Sequence, residues 1–300
     1  MNSNIDSDDA VLEVKGLRRT FGRVLAVDGV DLTVPRGKIY GFLGINGAGK
    51  TTTIRMIMGV TSPDAGIIRL VGETSRSVSV KQRQRIGYVS QEQNFYPWMT
   101  CAGIGKFVGS FYPSWDGVEF ARILEVFSLP HDRKVSQLSG GMKAKLALAL
   151  AVAHRPELLI LDEPTAGLDP LARAEFMEII VANSRKHQRT TFFSSHLVDE
   201  VERCADCVGI IHQGKMKIEC SVHDLRDRVR RLTVHPGVLF EVPPQFELLR
   251  ETSVDNVTQL DLRASPEHWD ALALPEGVDA KRLTLEAIFI AYVSKERIVL

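Results

Sequence analysis

Short apolar segments alternate along most of the chain with longer segments whose apolar residues recur at helical spacing. Four short segments predict buried strands, at residues 39–43, 158–161, 191–193 and 208–211. Strands that alternate with helices favour a parallel sheet covered by helices on its faces. The pattern therefore predicts an α/β fold from Val11 onward.

The pattern changes after Leu225. A helix-like segment at 224–231 is followed by two proline-rich segments, 235–237 and 242–244, which mark a domain boundary. Beyond the boundary we predict strands at 238–242 and 260–262, and a helix behind Thr284 as N-cap, with its apolar residues at Leu285, Ile288, Phe289 and Tyr292. We therefore expect a flexible tail at 1–10, a main domain at 11–230 and a small α+β domain at 231–300.

Composition and charge are those of an ordinary globular protein. Hydrophobic residues make up 44% of the chain, and 37 Lys and Arg balance 37 Asp and Glu. Without a net positive charge, no global field favours nucleic acid, and we expect no nucleic-acid partner. Two basic segments, 81–85 and 226–231, are either solvated helix faces or contacts to lipid headgroups or nucleic acid.

No segment predicts a membrane span or a signal peptide. The longest apolar run, 146–153, is far shorter than the roughly 18–20 residues that cross a bilayer. The acidic N-terminus lacks the basic and apolar segments of a secretion signal.

The cysteines leave two interpretations open. Four cysteines are too few for a disulfide framework. Cys204, Cys207 and Cys220, with His212 and His223 nearby, raise the alternative of a zinc site, but a lone C-x-x-C lacks the second pair that makes such a signal strong. We therefore expect free, reduced thiols.

A glycine-rich segment carries the strongest chemical signal. Residues 44–51, Gly-Ile-Asn-Gly-Ala-Gly-Lys-Thr, match the phosphate-binding loop G-x-x-x-x-G-K-[ST], with a predicted strand before them and a helix at 51–58 after them. In such a loop backbone N–H groups surround phosphate oxygens, Lys50 reaches the β- and γ-phosphates, and Thr51 holds Mg²⁺ through its hydroxyl. The alternative is a strand-to-helix turn without a ligand.

Two adjacent carboxylates end the predicted strand at 158–161. Ligands of open α/β sheets bind at the carboxyl ends of strands, so Asp162 and Glu163 are expected near the phosphates. Asp162 can order the water shell of the metal, and Glu163 can act as general base toward a water. The alternative is a strand that ends in solvated acids.

A second predicted helix start follows Leu138. Ser139, Gly140 and Gly141 precede a helical pattern at 143–154, so they can bind an anion, or Ser139 can serve only as an N-cap.

Together these segments resemble the ATP-binding cassette (ABC) ATPases, the nucleotide-binding subunits of ABC transporters. In chain order the chain has a Walker A loop at 44–51, a Q-loop glutamine at Gln91, a signature motif at 138–142, a Walker B motif ending in Asp162-Glu163, a D-loop at 166–169 and a switch histidine at His196. The resemblance spans roughly residues 11–225. It implies a P-loop NTPase fold with a RecA-like core, an antiparallel β subdomain and a helical subdomain at about 91–155.

The resemblance also implies roles for individual residues. ATP with Mg²⁺ is the expected nucleotide, Glu163, His196 and Lys50 are the expected catalytic residues, and Thr51, Gln91 and Asp162 are the expected metal contacts, the last through water. Phe21 resembles the aromatic residue that stacks on adenine, although it can equally be a core phenylalanine. The expected nucleotide contacts are Phe21, Gly44, Asn46, Gly47, Ala48, Gly49, Lys50, Thr51, Thr52, Gln91, Ser139, Gly140 and Gly141.

Finally, the resemblance implies partners. In this family two cassettes pack head-to-tail, so that each ATP lies between Walker A of one chain and the signature motif of the other. A separate transmembrane permease is expected, contacted through the region around 91–112, with the cassette in the cytoplasm on the inner face of the membrane. Segments at 111–116 and 285–289 are similar to bacterial exporters of the ABC-2 type, although the latter can simply be a packing helix. The alternative function is a soluble ABC ATPase that acts on nucleic acid or the ribosome.

Overall fold

The computed structural model describes residues 9–75, 78–294 and 298–299. Most of the tail predicted at 1–10 lies outside these ranges. The strands are β1 (Ala10–Phe21), β2 (Val24–Pro35), β3 (Ile39–Leu43), β4 (Ala65–Leu70), β5 (Glu73–Ser75), β6 (Ile86–Val89), β7 (Leu158–Asp162), β8 (Thr190–Ser195), β9 (Cys207–His212), β10 (Lys215–Ser221), β11 (Val229–Val234), β12 (Glu247–Val254), β13 (Val257–Arg263), β14 (Val278–Arg282) and β15 (Ile298–Val299).

Helices separate most of these strands. They are α1 (Lys50–Ile57), α2 (Val80–Arg83), α3 (Cys101–Gly109), α4 (Gly117–Val126), α5 (Gly140–Val152), α6 (Pro170–Lys186), α7 (Val198–Cys204), α8 (Val222–Arg228), α9 (Pro266–Asp270) and α10 (Leu285–Val293), with one 3-10 helix at Val135–Gln137. Within the described residues, no helix combines the length and the apolar character needed to cross a bilayer.

The central sheet has six strands in the order β10-β9-β3-β8-β7-β6. The five strands from β9 to β6 are parallel, and only β10 at the edge is antiparallel. β3, β7 and β8 are buried along their whole length because both faces are covered, one by helices and the other by α1 and an antiparallel sheet, which explains their continuous apolar sequences. The predicted α/β fold is confirmed, and all four strands predicted in this part are present.

A second sheet is antiparallel, with the order β2-β1-β4-β5. Its inner face forms one hydrophobic cluster with Tyr40 and Phe42 of the central sheet and with α1. On the other side of the central sheet, α3, α4 and α5 pack together in a larger cluster that includes Phe120, Leu124 and Leu148. The nucleotide-binding fold expected from the resemblance, a central sheet with an antiparallel sheet and a helical segment, is therefore present.

The third sheet lies at the C-terminal end of the chain, in the order β14-β11-β13-β12-β15. The helix predicted at 224–231 is wrong in its last three residues: α8 ends at Arg228, and β11 begins at Val229. In β11 Val229, Leu232 and Val234 are buried, and the strand pairs with β13 on one side and β14 on the other. Sheet pairing therefore prevails over the local helical pattern.

The strand predicted at 238–242 is also wrong. The segment lies between Pro236-Gly237 and Pro243-Pro244, whose prolines restrict the backbone at both of its ends. Val238, Phe240 and Val242 pack against the hydrophobic cluster of the third sheet, whereas Leu239 is 98% exposed. The strand predicted at 260–262 lies inside β13, and Thr284 caps α10 by accepting a hydrogen bond from the Ala287 backbone, both as predicted.

Helix α10 returns from the third sheet to the main body of the molecule. It contacts α7, α8 and β9. Leu285, Ile288 and Phe289 are buried in the same cluster as Val201 of α7 and Leu225 of α8. Helix α10 is therefore part of the core beside the central sheet.

Candidate functional site

The loop between β3 and α1 places a helix start at the carboxyl edge of the central sheet. Gly49, just before α1, has φ +108° and no side chain to cap the helix. A Cβ on Gly49 would lie 2.7 Å from the backbone oxygen of Ala26, so a larger residue does not fit. The first amides of α1, together with the positive end of its dipole, suit an anionic group.

Lys50 is buried, with 4% of its surface exposed. Its Nζ donates to the backbone oxygens of Gly44 at 2.7 Å and Ile45 at 3.1 Å. The same Nζ lies 3.0 Å from Oε1 of Glu163, which is also buried. A buried ammonium needs such partners because it has lost its water.

Asp162 is the last residue of β7 and is 1% exposed. Its Oδ1 accepts hydrogen bonds from Thr51 Oγ1 at 3.1 Å and Ser194 Oγ at 2.8 Å. Burial raises the pKa of the Asp162 carboxyl, and the two hydroxyl hydrogen bonds act in the opposite direction. Thr51 and Asp162 thus place two oxygen ligands side by side.

Glu163 connects the buried lysine to the loop that follows β8. Its backbone has φ +44°, a left-handed conformation that is strained for a residue other than glycine. Its N–H donates to Ser194 Oγ at 3.0 Å, and its Oε2 lies 3.1 Å from Nδ1 of His196. The carboxylate therefore bridges Lys50 and His196, whose side chain is 38% exposed.

A second carboxylate lies behind this group. Glu200 of α7 is 5% exposed and accepts hydrogen bonds of 2.5 Å from Thr165 Oγ1 and from Ser195 Oγ. Thr165 follows Glu163 by two residues, and Ser195 precedes His196. Glu200 therefore connects the loop after β7 to the loop after β8.

Three members of this arrangement were not predicted from the sequence: Ser194, Thr165 and Glu200. Each acts through a hydrogen bond rather than at a motif position, so spacing alone does not single it out. The available signal was the pair of serines at the end of β8, in the sequence Thr-Phe-Phe-Ser-Ser, since hydroxyls at a buried strand end need polar partners.

The second predicted helix start lies elsewhere on the surface. α5 begins at Gly140, three residues earlier than predicted, and exposed Ser139 caps it by accepting a hydrogen bond from the Met142 backbone at 3.2 Å. Among the described residues, no hydrogen bond or ion pair joins Ser139, Gly140 or Gly141 to Lys50 or Glu163.

Two further predicted residues are also separate from the lysine–glutamate pair. Phe21 ends β1 and is 48% exposed, with the guanidinium carbon of Arg19 4.8 Å from the centre of its ring. It is therefore not a core phenylalanine. Gln91 follows β6 and is exposed.

The donor set suits a nucleotide with Mg²⁺. An uncapped helix start and a buried ammonium match phosphate oxygens, and a hydroxyl beside a carboxylate matches the oxygen ligands that Mg²⁺ prefers. Asn46 and Gly47 are exposed on the same loop, whereas Ala48 is buried, and Thr52 is half-buried in the first turn of α1. The phosphate loop, Thr51 and Asp162 thus have donors and acceptors that fit ATP and Mg²⁺, whereas the structure does not bring Phe21, Gln91, Ser139, Gly140 or Gly141 to this place.

The cysteine cluster shows a different chemistry. Cys204, Cys207 and Cys220 are buried free thiols, and burial raises the pKa of Cys204 and Cys207 to about 11. In the metal-free chain these groups are protonated thiols at neutral pH. In the described part of the chain, no group of three or more His, Cys, Asp or Glu is arranged to hold a metal ion.

The basic segment at 226–231 forms internal ion pairs. Arg226 pairs with Glu202, and Arg231 forms two hydrogen bonds with the carboxylate of Asp261. These contacts occupy both guanidinium groups within the protein.

Comparisons with known proteins converge on one family. The family model described as "ABC transporter" matches residues 27–166. The bacitracin transport ATP-binding protein BcrA of Bacillus licheniformis is 38% identical over 227 residues, which cover 74% of this chain and 73% of that protein. The Nod factor export ATP-binding protein I of Burkholderia lata is 38% identical over 221 residues and 72% of each chain.

Solved structures give the same result. The structure of an ATP-binding subunit of an ABC transporter is 28% identical, has a TM-score of 0.64, and covers 72% of this chain and 92% of its own. A dimeric bacterial ABC transporter cassette, at 21% identity, shares the fold with a TM-score of 0.64 over 70% of this chain and 98% of its own.

Proposed function

This chain belongs to the ABC transporter family and hydrolyses ATP, and from that premise we propose that it drives export through a separate membrane permease. The observation that carries the proposal is the buried Lys50–Glu163–His196 group at the carboxyl edge of the central sheet, beside Asp162 and Thr51. This arrangement provides a cation for phosphate, a carboxylate base and an oxygen site for a metal at one place.

The side chains divide the reaction between them. Phosphoryl transfer to water depends chiefly on positioning and on electrostatic stabilisation. Lys50 and the amides of residues 44–52 bind the phosphates of ATP, and Glu163 accepts the proton of the attacking water. His196, on the exposed side of Glu163, aligns that water against the γ-phosphate.

Mg²⁺ would be held by Thr51, Gln91 and, through water, Asp162, and it would neutralise charge on the phosphates. The hydrogen bonds from Thr51 and Ser194 keep the Asp162 carboxylate oriented toward this position. Phe21, exposed at the end of β1, supplies a ring face for adenine.

The functional unit is a head-to-tail pair of cassettes. Ser139 and Gly140 form an exposed helix start that no described hydrogen bond links to the lysine of the same chain. In a head-to-tail pair this helix start would face the phosphate loop of the other subunit, adding N–H donors opposite Lys50 and excluding water. An isolated subunit would then hydrolyse ATP slowly.

An exposed aromatic patch supports contact with a membrane partner. Tyr96, Trp98, Phe107 and Phe111 are 40–65% exposed and form a chain of ring contacts with centroids 5.1–5.7 Å apart. Exposed apolar groups in contact with each other mark interaction surfaces. The patch begins five residues after Gln91, so a permease bound here would lie near the metal contact.

The names of the relatives support export as the direction. They include bacitracin transport, Nod factor export and linearmycin resistance proteins. We place the chain in the cytoplasm, on the inner face of the membrane. Residues 231–300 serve as an accessory domain anchored to the cassette through α10.

A capture experiment tests this function. Tagged Glu163→Gln protein with ATP and Mg²⁺ is used to capture partners from detergent-solubilised membranes of the source bacterium, and the same protein without nucleotide is the control. We expect a multi-span membrane protein that co-purifies in the ATP sample. Recovery of ribosomes or nucleic acid instead, from protein that binds ATP, would contradict the export function and favour a soluble ABC ATPase.

A further inference from the structure

A cavity lies at the edge of the central sheet opposite to the ATP site. It has a volume of about 670 Å³ and is bounded by the segments that precede β3, β7 and β8 and by the C-terminal end of α6. These are the strands whose carboxyl ends carry the phosphate loop, Glu163 and His196. At about 3.3 Å per residue, strands of five or six residues place the two sites roughly 15–20 Å apart.

Cations dominate the lining of this cavity. They are Arg36, Arg122, Arg155, Lys186 and Arg189, against the two carboxylates Glu119 and Glu157. Three of the arginines already have carboxylate partners: Arg36 pairs with Glu157, Arg122 with Glu119, and Arg155 with Asp116. These pairs occupy both acidic residues of the lining, so Lys186 and Arg189 have no ion-pair partner there.

Arg189 is the unusual member because it is 93% buried without a carboxylate partner. It is 7% exposed, and its Nη1 donates to Asn183 Oδ1 at 2.7 Å. Within the ranges that the structure describes, no ion pair within 4.0 Å involves Arg189 or Lys186. The other two guanidinium nitrogens of Arg189 are not fully buried without a hydrogen-bond partner. Because Arg189 lines the cavity, we infer that these nitrogens face it.

Burial and the positive charge of the cavity shift the pKa values of Arg189 and His187. Burial lowers the pKa of the Arg189 guanidinium to about 10. Burial, Arg189 and Lys186 together lower the pKa of His187. The charge of Glu119 offsets this burial only in part, because no carboxylate lies within 4.0 Å of Arg189 in the described part of the chain, and an anion in the cavity would reduce the remaining cost.

We propose that this cavity binds a small organic phosphate, with the phosphate group held by Arg189 and Lys186. A planar guanidinium beside an ammonium is suited to phosphate oxygens. The cavity has the size of pockets that hold small organic ligands, and Ile123, Val152 and Pro156 provide an apolar wall for the rest of the molecule. The site is separate from the ATP site and does not depend on the direction of transport.

Titration calorimetry tests the proposal with inorganic pyrophosphate as the probe. The full chain is first saturated with ADP and Mg²⁺ so that the phosphate loop is occupied, and ionic strength is matched with chloride. We expect pyrophosphate to bind once per chain. Lys186→Met, at an exposed position, should weaken this binding about tenfold, because a hydrogen bond to a charged group is lost.

Further variants make the result specific. Arg189→Met should weaken binding at least as much, and Arg189→Lys should retain part of it. Lys81→Met removes an exposed cation from α2, outside the cavity, and should leave binding unchanged. Absence of pyrophosphate binding, equal weakening by Lys81→Met, or binding of citrate in preference to pyrophosphate would overturn the proposal. Because ADP binding is measured first, failure of the ATP site is seen separately.

Discussion

Replacing Glu163 by Gln should separate the two roles of this carboxylate. In the structure Glu163 is the ion-pair partner of buried Lys50, at 3.0 Å, and it contacts His196 at 3.1 Å. Glutamine has nearly the same shape and can still accept a hydrogen bond from Lys50. It has no negative charge, however, and cannot take a proton from water.

The expected loss of stability follows from the burial of the Lys50–Glu163 pair. Breaking a buried ion pair costs about 3–5 kcal/mol, and the remaining amide and two carbonyl contacts of Lys50 reduce this to about 2–3 kcal/mol. For a chain of this size the nucleotide-free melting temperature should fall by roughly 5–10 °C. With ATP the phosphates replace the carboxylate beside Lys50, so the difference from wild type should shrink. Loss of the general base should lower turnover by about 10²–10⁴-fold.

Thermal unfolding with and without nucleotide, together with phosphate release, measures these effects. Glu13→Gln is the matched control, because Glu13 is also buried and paired, with Lys15 and Arg69, but lies outside the site. It should lower the melting temperature equally with and without ATP and leave turnover unchanged. Wild-type turnover by Glu163→Gln, or a destabilisation that ATP does not relieve, would refute the reasoning.

Three further predictions concern other buried positions. Ser194→Ala removes a hydrogen bond that lowers the pKa of Asp162, so the acid limb of the ATPase pH profile should move to higher pH; an unmoved limb would contradict this. Burial raises the pKa of Glu219 from 4.5 to about 7, so the folded chain holds this proton more tightly than the unfolded chain. The free energy of unfolding should therefore decrease as the pH rises from about 4.5 to about 7. Glu219→Gln should make this pH dependence flatter, as measured by urea titrations at several pH values. Ile288→Ala in α10 should cost about 2–5 kcal/mol in the same assay, and a loss below about 0.5 kcal/mol would show that α10 is not part of the core.

Much of the fold follows from the sequence because the central strands are buried on both faces. The apolar runs of β3, β7, β8 and β9 have no other explanation at their length, and their alternation with helices implies a parallel sheet. The third sheet was predicted less well, since β11 looks helical locally and becomes a strand only because β13 and β14 flank it. Segment 238–242 shows the converse, with four apolar residues out of five but no pairing partner in the described part of the chain.

The candidate site, like the fold, could be predicted only in part from the sequence. Lys50, Asp162 and Glu163 could be predicted because a phosphate loop and a strand-end acid pair have fixed spacings. The contacts of Ser194 and Glu200 depend on which strands lie side by side, as do the distances that join Lys50, Glu163 and His196. Those relations exist only in the folded chain, so residue spacing could not supply them.

The central claim is that each ATP site combines Lys50 of one subunit with Ser139 of another. It can be tested by mixing two inactive variants, Lys50→Ala and Ser139→Arg, and measuring ATP hydrolysis of the mixture. In a mixed head-to-tail pair one site carries both substitutions and the other carries neither. Equimolar mixing should therefore restore about a quarter of wild-type activity, since half of the pairs are mixed and each has one intact site. A mixture no more active than either variant alone would contradict the composite site.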